Sequence, residues 1–324
     1  MHKDSILVTG STGFVGSAVQ AALIKAGVSL ITPVRKVKAD HSLPNLQQVE
    51  IADLSDVGAR LLRLYKPDVV IHIDAKAHAA DVSLAEFRRV NTDATLQLAR
   101  ASVASCVRRF IFLSSIGVHG INSSKPFQVT DTPAPIEDYA VSKLEAEIGL
   151  KQIATETGME VVIIRPPLVY GASAPGNFGK LARLAQKNLP LPLGAIHNKR
   201  SLVALDNLVD LIVTCISHPK AANQTFLVSD DQDISTTELL KLMTRAAGKK
   251  PWLLPVPMSW LKLAGKLTGK QAVIERLCGN LQVDITHTKQ TLGWTPPLTV
   301  EEGIARCFNL PPTPSLPKRG SKSS

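Results

Sequence analysis

Aromatic residues are scarce: Phe, Trp and Tyr make up 4% of the 324 residues. The core is therefore expected to be built from Leu, Val, Ile and Ala. A 44% apolar composition supplies enough of them for one large domain or two moderate ones. Cysteine is equally thin. Cys106, Cys215, Cys278 and Cys307 form no C-x-x-C and no Cys/His ligand spacing. That argues against a disulfide scaffold and a structural metal, and predicts reduced thiols in the cytoplasm. "MHKDSILVTG" runs straight into a strand-like segment with no secretory leader, which agrees with that compartment. No apolar run reaches the ~18–20 uncharged residues of a spanning helix, so no stable membrane insertion is expected. "PWLLPVPMSWLKLAGKLTGK" comes nearest, but three prolines and Lys262, Lys266 and Lys270 interrupt it. Those lysines, four apart, read as the wet side of an amphipathic helix whose apolar face is expected to meet the core, with docking on a membrane surface as the alternative. The net charge is +10, from 37 basic and 27 acidic residues, yet no five basic residues are consecutive. With no RRM, KH or zinc-finger pattern either, no nucleic acid is expected, and a phosphorylated small molecule fits the field better.

What the chain does contain is alternation. Strand-like runs at 5–9, 28–34, 46–51, 68–73, 109–114 and 160–165 are interleaved with helical stretches at 14–26, 55–65, 84–104 and 138–157. Continuous apolar runs such as "VVIHI" and "VVII" suit parallel strands covered on both faces. The pattern predicts an α/β fold, a Rossmann-type doubly wound parallel sheet with a smaller C-terminal substrate lobe. After residue 171 the rhythm changes. A Gly-rich loop, "GASAPGNFG", precedes a helix at 178–187. "SLVALDNLVDLIVTCI" reads as a strand, an Asp206 cap and a helix, "QTFLVS" as a strand, and "DISTTELLKLMTRAAG" as a capped helix. The expected division is a dinucleotide-binding domain at 1–171, a substrate lobe at 172–310 with segments near 200–228 returning to the first domain, and a disordered tail at 311–324.

"ILVTGSTGFVGSAVQAAL" places Gly10, Gly13 and Gly16 between a strand and a helix. Such glycines allow a tight turn, close approach of backbone to a pyrophosphate, and a helix N-terminus facing the phosphates. Many NAD enzymes carry an acid after the second strand. This chain has Arg35 and Lys36 there, which suits a 2′-phosphate and favours NADP(H) over NAD(H).

"EDYAVSKLEAE" sets Tyr139 and Lys143 one helical turn apart, on one face. A free tyrosine has a pKa of about 10, and a neighbouring lysine cation lowers it towards that of a useful proton shuttle. GxxGxxG preceded by "TG", "LSSIGVHG", YxxxK, "VIHIDAKAH" and "IIRPPLVYG" together resemble the extended short-chain dehydrogenase/reductase superfamily over residues 4–308. The resemblance implies a catalytic Ser115, Tyr139 and Lys143, with Lys143 also holding the nicotinamide ribose. It implies cofactor contacts from Gly10, Thr12, Gly13, Phe14, Val15, Gly16, Asp53, Leu54 and Ala75, and a structural role for Asn91. Asp74 and His119 depart from the pattern. Glu145 and Glu147 read as helix surface, and His72 as packed beside the sheet.

By the same resemblance Arg200, Asn177 and Arg276 are candidates for a nucleotide-sugar diphosphate, and His78 or Lys76 for the substrate mouth. Related 4,6-dehydratases carry an Asp-Glu pair after the Ser/Thr. Here those positions are Ile116 and Gly117, neither of which transfers a proton. That leaves epimerisation or reduction at C4. The chain looks most like bacterial O-antigen sugar 4-ketoreductases, which convert a UDP-4-keto-6-deoxy-N-acetylhexosamine to UDP-QuiNAc or UDP-FucNAc. A UDP-hexose or UDP-N-acetylhexosamine 4-epimerase with retained NAD is the alternative, and a non-catalytic NAD(P)-sensing scaffold a remote one. A homodimer is left open.

Overall fold

The computed structural model describes residues 4–37, 45–53, 57–77, 82–269 and 271–309. Leu54, His78, Lys270 and the tail at 311–324 lie outside the described residues. The strands are β1 (Ser5–Thr9), β2 (Ser29–Val34), β3 (Leu46–Glu50), β4 (Val69–His72), β5 (Arg109–Leu113), β6 (Glu160–Arg165), β7 (Leu168–Tyr170), β8 (Arg200–Ala204), β9 (Thr225–Leu227) and β10 (Asp233–Ile234). Seven form one sheet in the order β3-β2-β1-β4-β5-β6-β9, every pair parallel. The other three form a small sheet, β10-β8-β7.

Both faces of the large sheet are covered, which is why its strands are apolar at successive positions. Ile6 and Val8 of β1 enter one core with Val69, Ile71 and Ile111. Leu7, Val70, Phe110 and Phe112 enter the other. The helices are α1 (Phe14–Lys25), α2 (Leu62–Tyr65), α3 (Leu84–Phe87), α4 (Ala94–Ala104), α5 (Asp138–Thr157), α6 (Gly176–Lys187), α7 (Leu205–Ser217), α8 (Thr236–Ala246), α9 (Met258–Leu267), α10 (Gln271–Cys278), α11 (Thr286–Leu292) and α12 (Val300–Asn309). A third core joins α6, α8 and α12 through Phe178, Leu181, Leu240, Met243 and Ile304.

Three local expectations are corrected. The stretch at 84–104 is not one α-helix: α3 and α4 are joined by a π-helical segment, Arg88–Asp93, and another, Val57–Leu61, precedes α2. Asp206 does not cap α7. Ala204 holds that position, and Asp206 sits in the first turn, paired with Arg306 at 2.9 Å. In α9 only Leu261 and Gly265 are buried, while Trp260, Leu263 and Leu267 are exposed. Periodicity marked an apolar stripe there but not what it faces. The strand order reverses between β1 and β4, where Thr9 lies beside His72. In an open α/β sheet, ligands sit in the crevice beyond the strand ends at such a point.

Candidate active site

The turn after β1 is closed by backbone contact. Gly10 has φ +71, and a Cβ there would lie 2.8 Å from the Asp74 backbone nitrogen. A Cβ on Gly16 would lie 2.0 Å from the Gly10 carbonyl oxygen. Neither position has room for a side chain, so α1 starts flush against the turn. Gly13 donates its N–H to the Gly10 carbonyl at 3.0 Å and is the N-cap of α1, with no side-chain capping bond. The first turn of α1 carries no acid. Its N–H groups thus remain for an anion. Ser11 Oγ is buried with no partner among the described residues. Free donors, an orphaned hydroxyl and a glycine cradle fit a dinucleotide diphosphate. Thr12 is exposed, and Phe14 and Val15 are half-buried. Arg35 and Lys36 are exposed just beyond β2, and Asp53 just beyond β3.

Ser115 lies just beyond β5, and α5 brings Lys143 against the end of the same strand. Ser115 caps the 3-10 turn Ile116–His119, its Oγ accepting the Gly117 N–H at 3.0 Å. Tyr139 begins α5 and meets Phe87 edge-on, centroids 6.2 Å apart. Lys143 is 1% exposed. Its Nζ donates to the Leu113 carbonyl at 2.8 Å and lies 4.3 Å over the Phe112 ring. Asn91 ties this helix to the β4 loop beside Ala75: its Oδ1 accepts the Lys76 N–H at 2.9 Å, and its Nδ2 donates to Ser142 Oγ at 3.0 Å. Asn91 sits in the π-helical segment, where an extra residue per turn re-aims side chains, often at functional sites.

The electrostatics differ from the expectation. Burial pushes Tyr139 up to about 12. Burial also lowers Lys143 to about 7, opposed by the charges of Asp74 and Glu147. Loss of hydration, which disfavours both charged forms, sets the direction at Tyr139. Asp74, unexplained in the sequence, is exposed at the end of β4 and its carboxylate favours the ammonium of Lys143.

Beneath the pair lies a network that sequence reading missed. Glu147 is fully buried, not helix surface. It accepts from Arg165 Nη2 at 2.5 Å and from Ser114 Oγ at 2.5 Å. Arg165 Nη1 donates to His119 Nε2 at 2.7 Å, which leaves the ring proton on Nδ1. Burial, then the Arg165 charge, lowers His119 to about 4. A detectable signal existed: Glu147 follows Lys143 by four residues and Tyr139 by eight, on one helix face. Glu145, by contrast, does lie on the surface and pairs with Arg88. His72 is fully buried. Thr95 donates to the Asn91 carbonyl, so His72 Nε2 donates to Thr95 Oγ1 at 2.8 Å and Nδ1 accepts from Thr9 Oγ1 at 2.7 Å. No three His, Cys, Asp or Glu residues are grouped to hold a metal among the described residues.

On the far side, Arg200 Nη1 donates to the carbonyls of Arg276 and Gly279 at 2.8 and 3.1 Å. Arg276 pairs with Glu137, the N-cap residue of α5, two positions before Tyr139. The two arginine candidates are therefore brought together, next to the start of α5. Asn177 is exposed in the first turn of α6. Lys76 is taken up by Glu86 at 3.0 Å.

The sequence model of the NAD dependent epimerase/dehydratase family matches residues 6–229. A UDP-glucose 4-epimerase of Vibrio cholerae is 49% identical over 309 residues, 93% of each chain. The N-acetyl-α-D-glucosaminyl-diphospho-ditrans,octacis-undecaprenol 4-epimerase of Escherichia coli O157:H7 is 26% identical over 94% of each. The crystal structure of a UDP-glucose 4-epimerase from Thermotoga maritima with UDP-glucose superimposes with a TM-score of 0.76. It is 25% identical and covers 94% of this chain and 97% of that one.

Proposed function

The chain belongs to the NAD dependent epimerase/dehydratase family, and we propose that within it the protein reduces the C4 ketone of a UDP-linked 4-keto-6-deoxy-N-acetylhexosamine. Bound NAD(P)H supplies the hydride. The chain's residues do the rest. Tyr139, protonated across neutral pH by its raised pKa, is a proton donor to the carbonyl oxygen. Ser115 donates a second hydrogen bond to that oxygen and polarises it. Lys143, anchored on Leu113 and close to the charge of Asp74, holds the ribose and replenishes the tyrosine proton. Arg200 and Arg276 take the sugar's diphosphate through charge-assisted bonds. The same arginines suit the diphosphate of a polyprenyl carrier, the form named for the E. coli relative.

The observation that carries this reading is a proton donor, Tyr139, in a site with no carboxylate at 116 or 117. Ile116 is buried in the core. A Cβ on Gly117 would lie 3.2 Å from Ser115 Oγ and 3.3 Å from the Ala140 Cβ. An acid at 117 would crowd the serine, so elimination of water is disfavoured here. The V. cholerae relative supports a second reading, 4-epimerisation with retained NAD. The test offers purified protein UDP-4-keto-6-deoxy-GlcNAc with NADH or NADPH, and separately UDP-glucose and UDP-GlcNAc. Stoichiometric loss of reduced cofactor supports the reductase. No such loss, together with interconversion of UDP-glucose or UDP-GlcNAc and its galacto form, replaces it with the epimerase.

A further inference from the structure

Of the eleven large apolar side chains exposed among the described residues, six fall between positions 252 and 273: Trp252, Leu254, Trp260, Leu263, Leu267 and Val273. Trp260, Leu263 and Leu267 recur at i, i+3 and i+7 and share one face of α9. Leu261 and Gly265 form a different face that packs inward, where a Cβ on Gly265 would lie 2.8 Å from Ile274 of α10. The outer stripe is thus surplus to folding. Lys262 and Lys266 border it. Over residues 249–278 the sequence holds six basic residues, Lys249, Lys250, Lys262, Lys266, Lys270 and Arg276, against one acid, Glu275. No helix among the described residues is long and apolar enough to cross a membrane.

We propose that the α9–α10 hairpin docks in the plane of an anionic phospholipid surface. The apolar stripe enters the boundary between headgroups and acyl chains, and Lys262 and Lys266 reach the lipid phosphates. Two tryptophans suit that depth, where the indole ring is apolar and its N–H is wet. A second copy of the chain fits less well. Two-fold contact would set the same cations against each other around the stripe. The docked element carries Arg276 and braces Arg200, so docking turns that side of the site towards the bilayer. This inference is independent of which C4 reaction the site performs.

The test is co-sedimentation of the full chain with vesicles of phosphatidylcholine alone or of equal phosphatidylcholine and phosphatidylglycerol, at low salt. Wild type is expected to sediment with the anionic vesicles at least about tenfold more strongly than with the neutral ones, with a blue shift of tryptophan emission. Trp260→Ser/Leu263→Ser/Leu267→Ser is expected to lose that binding by about tenfold or more at an unchanged melting temperature. Lys262→Glu/Lys266→Glu, which leaves the apolar stripe intact, is expected to lose it too. Wild type left in the supernatant, or a triple variant that sediments like wild type, overturns the proposal. So does a dimeric wild type that the triple variant converts to monomer, since a second copy would then cover the face.

Discussion

Glu147 on α5 and Leu263 on α9 invert the ordinary rule of burial, the carboxylate being 0% exposed and the leucine 58%. The two exceptions have different causes. Around Glu147 every charge is answered: Arg165 and Ser114 bond it, and Arg165 in turn bonds His119. Burying such a pair costs hydration, and its return is a fixed geometry beneath Ser115 and Lys143. Among the described residues Leu263 stays exposed, and the fold is expected to lose little if it is changed. A charge buried at cost points to positioning of chemistry. An apolar side chain left outside points to something beyond the molecule.

The contrast can be broken or sharpened by substitution. The largest expected effect is at Tyr139. Tyr139→Phe is expected to lower kcat by up to about 10⁴-fold, ~5 kcal/mol of barrier, with the fold intact by circular dichroism. A variant with wild-type turnover would return the proton role to solvent or to another group. Next, Glu147→Ala leaves the Arg165 guanidinium buried without its anion. It is expected to destabilise by about 3–5 kcal/mol in urea unfolding. A loss below about 1 kcal/mol would put Glu147 back among solvated surface residues.

Acid should act on the same half of the molecule. His72 is lowered to about 3 by burial and then the Lys143 charge, and His119 to about 4 by burial and then the Arg165 charge. Between pH 6.5 and those values the unfolded chain binds protons that the native state refuses. Stability from these two groups is therefore full only above the unfolded pKa of about 6.5 and is lost as pH falls towards 4 and 3, by roughly 3 kcal/mol for the pair between pH 6.5 and 5. Urea midpoints that stay level over that range would contradict the buried neutral imidazoles. The smallest effect belongs to α9. Leu263→Ser is expected to change stability by less than about 0.5 kcal/mol and to leave kcat unaltered, which urea unfolding and steady-state assay check together.

Legibility in the sequence followed the same divide. The strands of the large sheet and the span of α5 were readable because their signals are local: apolar β-branched runs, and Gly158 with φ +75 ending the helix. The glycine turn was readable because only glycine fits it. The break in the 84–104 stretch was not, since it depends on where Asn91 must reach across to Ser142. Glu147 read as surface because a glutamate within a helix is ordinarily solvated, and the arginine that answers it, Arg165, lies 18 positions further along the chain. The tyrosine pKa was misjudged because two residues four apart reveal proximity but not how much water each loses. In α9 the period was right and Leu261 and Gly265 do face the core, but Trp260, Leu263 and Leu267 face outward, because periodicity carries no information about the partner.

On this account the hydride adds to C4 while Tyr139 gives its proton to the C4 oxygen. The most direct measurement supplies reduced cofactor deuterated at its transferring position, with UDP-4-keto-6-deoxy-GlcNAc, and reads the product by NMR and mass. The prediction is one deuterium at C4 of the 4-hydroxy product per cofactor oxidised, abolished in Tyr139→Phe. A label-free product, or label transfer undiminished in Tyr139→Phe, would contradict it.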